Sequence, residues 1–113
     1  MTSHQAISWH YVILWEFIAK AGKESRFEAV YGPNGDWARC FRQGTGYLGT
    51  ELIRDQRCYV TMDFWASKDD YEKFKTQHAA EYEAIDRKCA DLTEQERELG
   101  KFARLIENRE QKN

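Results

Sequence analysis

Two ionisable side chains fall among apolar and aromatic neighbours, where proton-transfer chemistry would place them: His78 and Asp63. His78 lies mid-stripe in the series Tyr71, Phe74, His78, Tyr82, Ile85 and Cys89, whose helical spacing turns one face inward. A histidine there is either a neutral residue hydrogen-bonded in the core or a pocket group that exchanges a proton with a ligand, a role its ordinary pKa of ~6.5 suits. Asp63 alternates with Tyr59, Thr61 and Trp65. A carboxylate on such a strand face is costly unless it is paired or lies in a wetted cavity. It reads either as a proton acceptor or as the partner of an arginine across an interface between two copies of the chain. Glu16 and Glu51 raise the same question, with a solvated sheet edge as the ordinary answer. Around these groups the chain is rich in rings: four Trp, six Tyr and six Phe make up 14% of 113 residues. Trp15, Tyr31, Trp37, Trp65, Phe74 and Tyr82 are each candidates for ordinary core. Taken together they are more than a core of this size calls for, because polar-tipped rings need partners when buried. A cavity for a flat ligand would account for them.

Other chemistries are excluded more simply. Cys40, Cys58 and Cys89 are odd in number, widely spaced and without a CxxC pair, so neither a disulfide framework nor a metal site is expected. They read as small buried apolar residues and as reduced thiols in a cytoplasmic protein. With 17 Lys+Arg against 19 Asp+Glu spread along the chain, there is no basic stripe to neutralise phosphates, and nucleic acid is not an expected partner. No apolar run approaches the ~20 residues that cross a bilayer, and Met1 to His10 lacks the pattern of a signal peptide, so no membrane partner is expected.

The elements that must position these groups follow from the pattern. Residues 11–18 are β-branched and aromatic almost throughout and predict a first strand. Phe27, Val30 and Tyr31 form a helical stripe, Gly32-Pro33-Asn34-Gly35 is a turn or a flexible lid, and Asp36 is expected to cap a short helix carrying Trp37, Cys40 and Phe41. Residues 47–54 and 58–65 predict an antiparallel pair. Ser67 opens one long helix through Cys89; Thr93 to Leu99 reads as a solvated polar helix, and 101–107 as either a continued helix or, the reading favoured, the last strand. The whole chain, 1–113, is expected to be one domain with a core at about 11–107 and short tails.

This order is βαββαβ, the ferredoxin-like arrangement: an α+β fold with a four-stranded antiparallel sheet and helices on one face. A sheet with one wet side should alternate apolar and polar residues. The first strand does not: Tyr11, Ile13, Trp15 and Phe17 point one way, and Val12, Leu14 and Ile18, with Glu16, point the other. The uncovered face is therefore expected to pack on that of a second copy, forming a homodimer.

With these residues placed, the chain resembles the antibiotic biosynthesis monooxygenase family, within the dimeric α+β barrel proteins. The resemblance rests on Trp15-Glu16-Phe17 with Lys20-Ala21-Gly22-Lys23, on Gly46 to Leu52, on Asp63-Phe64-Trp65-Ala66-Ser67, and on Phe74 with His78-Ala79-Ala80-Glu81-Tyr82. It implies a cofactor-independent monooxygenase acting on a small or polycyclic aromatic substrate held between sheet and helices, with no cofactor and no metal. Asp63 or His78 would then be the proton acceptor, and Trp65 and Tyr71 match residue types placed around the cavity. The alternative is a non-catalytic barrel that binds an aromatic metabolite. The family's haem-degrading branch uses an Asn on the first strand and a Trp and a His on the second long helix. Those positions here hold Trp15, Phe74 and Ala84, with His78 about a turn and a half earlier, so haem cleavage is not expected.

Overall fold

The structure, a computed structural model, describes residues 9–105. The β-branched and aromatic run becomes β1 (Tyr11–Ala19), followed by α1 (Glu24–Tyr31) and α2 (Asp36–Phe41). Next come β2 (Tyr47–Asp55), β3 (Cys58–Trp65), α3 (Lys68–Gln77) and α4 (Ala79–Lys88). A 3-10 turn at Ala90–Leu92 leads into β4 (Thr93–Ala103). The sheet order is β2-β3-β1-β4 with every pairing antiparallel, and the helices pack on one face. This is the expected ferredoxin-like α+β architecture. Among the described residues, no helix is long and apolar enough to cross a membrane.

Register sets the face that matters. Tyr11, Ile13 and Trp15 of β1 stand opposite Trp65, Asp63 and Thr61 of β3, and Thr50 of β2 stands opposite Asp63. Because side chains alternate along a strand, Tyr59, Thr61, Asp63 and Trp65 all point beneath the helices and are all buried. Asp63 thus faces the helices and not the open side of the sheet, which removes the reading of it as an arginine's partner across a sheet-to-sheet interface.

Two aromatic clusters make the core. Trp65, the largest side chain with no exposure, packs against Phe41, Tyr47, Tyr71 and Phe74. Phe27 joins Phe17, Tyr31 and Tyr59 in a second group. Trp37 bridges the two, touching Tyr31 on one side and Phe41 on the other.

Three expectations are corrected. The stretch from Thr93 to Leu99 is not a helix but part of β4, an edge strand paired only with β1. Edge strands commonly carry charge on their solvated side, and that charge mimics a polar helix surface. The long helix is two helices that meet at His78, whose φ of -120° is not helical. Hydrogen bonds from His78 N to Phe74 O and from Tyr82 N to His78 O carry across the junction, so the residue spacing persists through the bend. Asp36 is not the cap of α2: Gly35 holds that position, while Asp36 pairs with Arg39 and Lys88. Ser67 does cap α3, its Oγ accepting from Asp70 N at 3.1 Å. The Gly32 to Gly35 segment is a turn clamped by Arg39 and Arg42, whose guanidiniums donate to Pro33 O, Asn34 O and Asn34 Oδ1. All three cysteines are free thiols. The expected strand end at Glu107 lies outside the described residues, as do most of both tails.

Candidate functional site

Between the sheet and the helices lies a cavity of about 280 Å³. This is close to the lower bound of about 300 Å³ for ligand pockets. Trp15 and Phe17 of β1 and Thr61 and Asp63 of β3 form its floor; Tyr31, Trp37, Phe41 and Tyr82 wall it from the helices. Asp86 of α4 and Glu96 of β4, both exposed, mark its mouth. Among the described residues, six of the ten that line it are therefore aromatic, and the charged ones are all acids.

Asp63 is the buried acid, 9% exposed, and its Oδ1 accepts a 2.6 Å hydrogen bond from Thr50 Oγ1. With Asp63 ionised the Thr50 hydroxyl proton is committed to it, so the Tyr47 hydroxyl, 2.6 Å from the same oxygen, is then the donor in that contact. The result is a directed chain from Tyr47 to Thr50 to Asp63. A β-bulge makes it possible: Tyr47 opposes Trp65, Gly49 opposes Phe64 and Thr50 opposes Asp63, leaving Leu48 unpaired. Residues three apart on a regular strand point to opposite faces, but here Tyr47 and Thr50 share one. Gly49 adopts φ 142°, a conformation that favours glycine.

Burial pushes the Asp63 carboxyl up to about 7, and the Thr50 hydrogen bond pulls it partly back. Among the described residues no basic side chain pairs with it. A carboxyl so poised can take and return a proton at neutral pH. Thr50→Val, which removes the donor and keeps the shape, is expected to raise the Asp63 pKa further; carboxyl carbon NMR titration of the variant would show this, and an unchanged midpoint would contradict the role given to Thr50. Tyr82 is held up at about 12, by burial first and then by the negative charges of Asp86, Asp63, Glu98 and Glu96.

Of the residues singled out from sequence, the structure brings Trp15, Tyr31, Trp37, Asp63 and Tyr82 together around the cavity. Trp65, Tyr71 and Phe74 lie in the adjoining cluster beneath it and do not line it. His78 is also outside: its ring stacks on Phe74 at 5.1 Å and its Nδ1 lies 3.9 Å from Glu81. Sequence reasoning missed Glu96, hidden in a segment read as helix, and Asp86, which follows Tyr82 by one helical turn and so shares its side of α4. Phe17 and Phe41 carried no signal that separated them from ordinary core. The indole Nε1 of Trp37, buried in the cavity wall, has no hydrogen-bond partner among the described residues. Nor is any group of three or more His, Cys, Asp or Glu placed to hold a metal ion among them.

The arrangement of sheet and helices has counterparts among solved structures. PA3566 from Pseudomonas aeruginosa superposes with a TM-score of 0.60 at 15% identity, over 89% of this chain and 99% of that one. SnoaB from Streptomyces nogalater, a cofactor-independent oxygenase, gives 0.60 at 18% identity over 88% of this chain and 96% of its own. NE2512 from Nitrosomonas europaea, a protein of unknown function, gives 0.64 at 14% identity, over 89% and 94%. This chain shares with them a ferredoxin-like α+β fold. At these identities the likeness speaks for the fold alone. No family model matches the sequence, and no curated protein matches it.

Proposed function

We propose that the protein is a cofactor-independent monooxygenase that holds a small aromatic substrate in the cavity and uses Asp63 as its proton acceptor. The observation that carries this reading is the Asp63 carboxyl, held near 7 on the floor of an aromatic-walled cavity. Likeness of fold to SnoaB supports it. In an anthrone-like substrate, Asp63 would take a proton from the carbon between the rings. The carbanion and dioxygen form a peroxide, which regains that proton. Loss of water from the hydroperoxide leaves a ketone, so one oxygen atom enters the product and one leaves as water. Proton transfer moves the negative charge from Asp63 to the substrate without adding charge to the buried site, and the rings stack on the planar carbanion.

Oxygen uptake with anthrone or a naphthoquinol is the direct test. The wild type should consume dioxygen, and Asp63→Asn should lose about 10²–10⁴-fold in kcat, the usual contribution of a positioned base. His78→Ala, altered outside the cavity, should retain turnover. Equal rates for Asp63→Asn and wild type would remove Asp63 from the role, and a ligand bound but recovered unaltered in air would point to a binding protein instead.

The same reading includes a homodimer. The open face of the sheet carries Val12, Leu14, Ile18, Val60, Met62 and Phe64, with Ile53 and Phe102 about half exposed; the Glu16–Arg97 ion pair lies among them, and Glu51 and Asp55 stand toward the β2 edge. A contiguous apolar surface of this kind is rarely left to water. Light scattering is expected to return twice the 13.4 kDa chain mass; a stable 13.4 kDa species would rule the dimer out.

A further inference from the structure

We propose that the cavity selects an aromatic ligand that carries a cationic, amine-type group, with the rings seated among the aromatic walls and the cation at the mouth between Asp86 and Glu96. The inference rests on the reading of the cavity as a ligand site, but not on oxygenation as the chemistry performed there.

Charge is the first argument. Three acidic residues line the cavity, and among the described residues no lysine, arginine or histidine does. Among the described residues neither Asp86 nor Glu96 forms an ion pair. Glu96 accepts only the neutral hydroxyl of Thr93 at 3.2 Å. The Lys75 ammonium lies 4.0 Å above the centre of the Tyr82 ring, offsetting part of the field of Asp86, but it does not line the cavity. Four carboxylates act against ionisation of the Tyr82 phenol. The same field disfavours a ligand that arrives as an anion, adding its charge to the site, and favours one that arrives as a cation.

The walls give a second, independent argument. Trp15, Phe17, Tyr31, Trp37, Phe41 and Tyr82 present ring faces and edges to the space, and aromatic faces attract cations as well as flat apolar groups. Metal ions would satisfy the charge but not the geometry, since the acids are not grouped closely enough to hold one. An organic ammonium tethered to a ring system meets both conditions.

Calorimetric titration at neutral pH with three probes of one shape tests this: 2-(1-naphthyl)ethylamine, the neutral 2-(1-naphthyl)ethanol, and 1-naphthylacetate. The amine should bind about tenfold or more tighter than the alcohol, and the carboxylate weakest. In the Asp86→Asn/Glu96→Gln double variant, with folding checked by circular dichroism, the ratio of amine to alcohol affinity should fall to about two or less. An amine that binds no tighter than the alcohol overturns the inference and leaves the cavity reading intact. A preference that survives in the double variant overturns the assignment to Asp86 and Glu96. Failure of all three probes to bind at millimolar concentration overturns the cavity reading and the inference with it.

Discussion

Asp63→Asn should unfold at a higher urea concentration than the wild type at pH 8 and at about the same concentration near pH 4. The folded protein holds the Asp63 proton up to about 7, whereas an ordinary aspartate releases its proton at 3.8. Between those values the folded state binds a proton that the unfolded chain has released, so wild-type stability falls as pH rises through this window. A difference of about three pH units corresponds to on the order of 4 kcal/mol, a large share of the 5–15 kcal/mol that holds a typical domain together. Asparagine is nearly isosteric, keeps an oxygen to accept from Thr50 and never carries the buried charge. The variant is therefore expected to lose turnover and gain stability together, which separates a functional carboxyl from a structural one. Urea midpoints with the same pH dependence in both proteins would mean that Asp63 titrates as an ordinary aspartate.

Trp65→Ala should be the most destabilising single truncation in the sheet. Trp65 has no exposure and contacts Phe41, Tyr47, Tyr71 and Phe74, so its removal leaves a void walled by rings that cannot easily close in. Losses of about 3–5 kcal/mol are usual for such a change. Trp65→Phe should cost much less, about 1 kcal/mol, because the indole Nε1 has no hydrogen-bond partner among the described residues and its removal relieves an unsatisfied buried donor. Equilibrium urea unfolding of both variants measures the contrast. Equal losses would show that the indole group, and not the filled volume, matters.

The sheet was largely legible because its signals were local. β3 runs from Cys58 to Trp65 as its alternation predicts, and β1 extends the predicted run by one residue. β4 was misread because its glutamates and arginine are good helix formers, and only pairing with β1 overrides that preference. That error also hid Glu96, which faces inward because it stands opposite Phe17. The break at His78 was invisible for another reason: a bend leaves the spacing of inward residues unchanged, so a histidine in sequence with Phe74 and Tyr82 can contact one and stand apart from the cavity that the other lines. Asp63 was recognisable because a lone acid among Tyr59, Thr61 and Trp65 contradicts its surroundings. Asp86 was not, since an acid on a solvated helix contradicts nothing.

The bulge in β2 ties the acidity of Asp63 to parity. Tyr47 and Thr50 are an odd number of positions apart, and only the extra residue absorbed at Leu48 lets both point at the same acid. A side chain at position 49 would strain the φ of 142° that holds the bulge open and press the strand toward strict alternation, turning Tyr47 outward and Leu48 in. The proton affinity of the buried carboxyl thus depends on a glycine that touches neither the acid nor the cavity, and on how many residues β2 contains as much as on which ones they are.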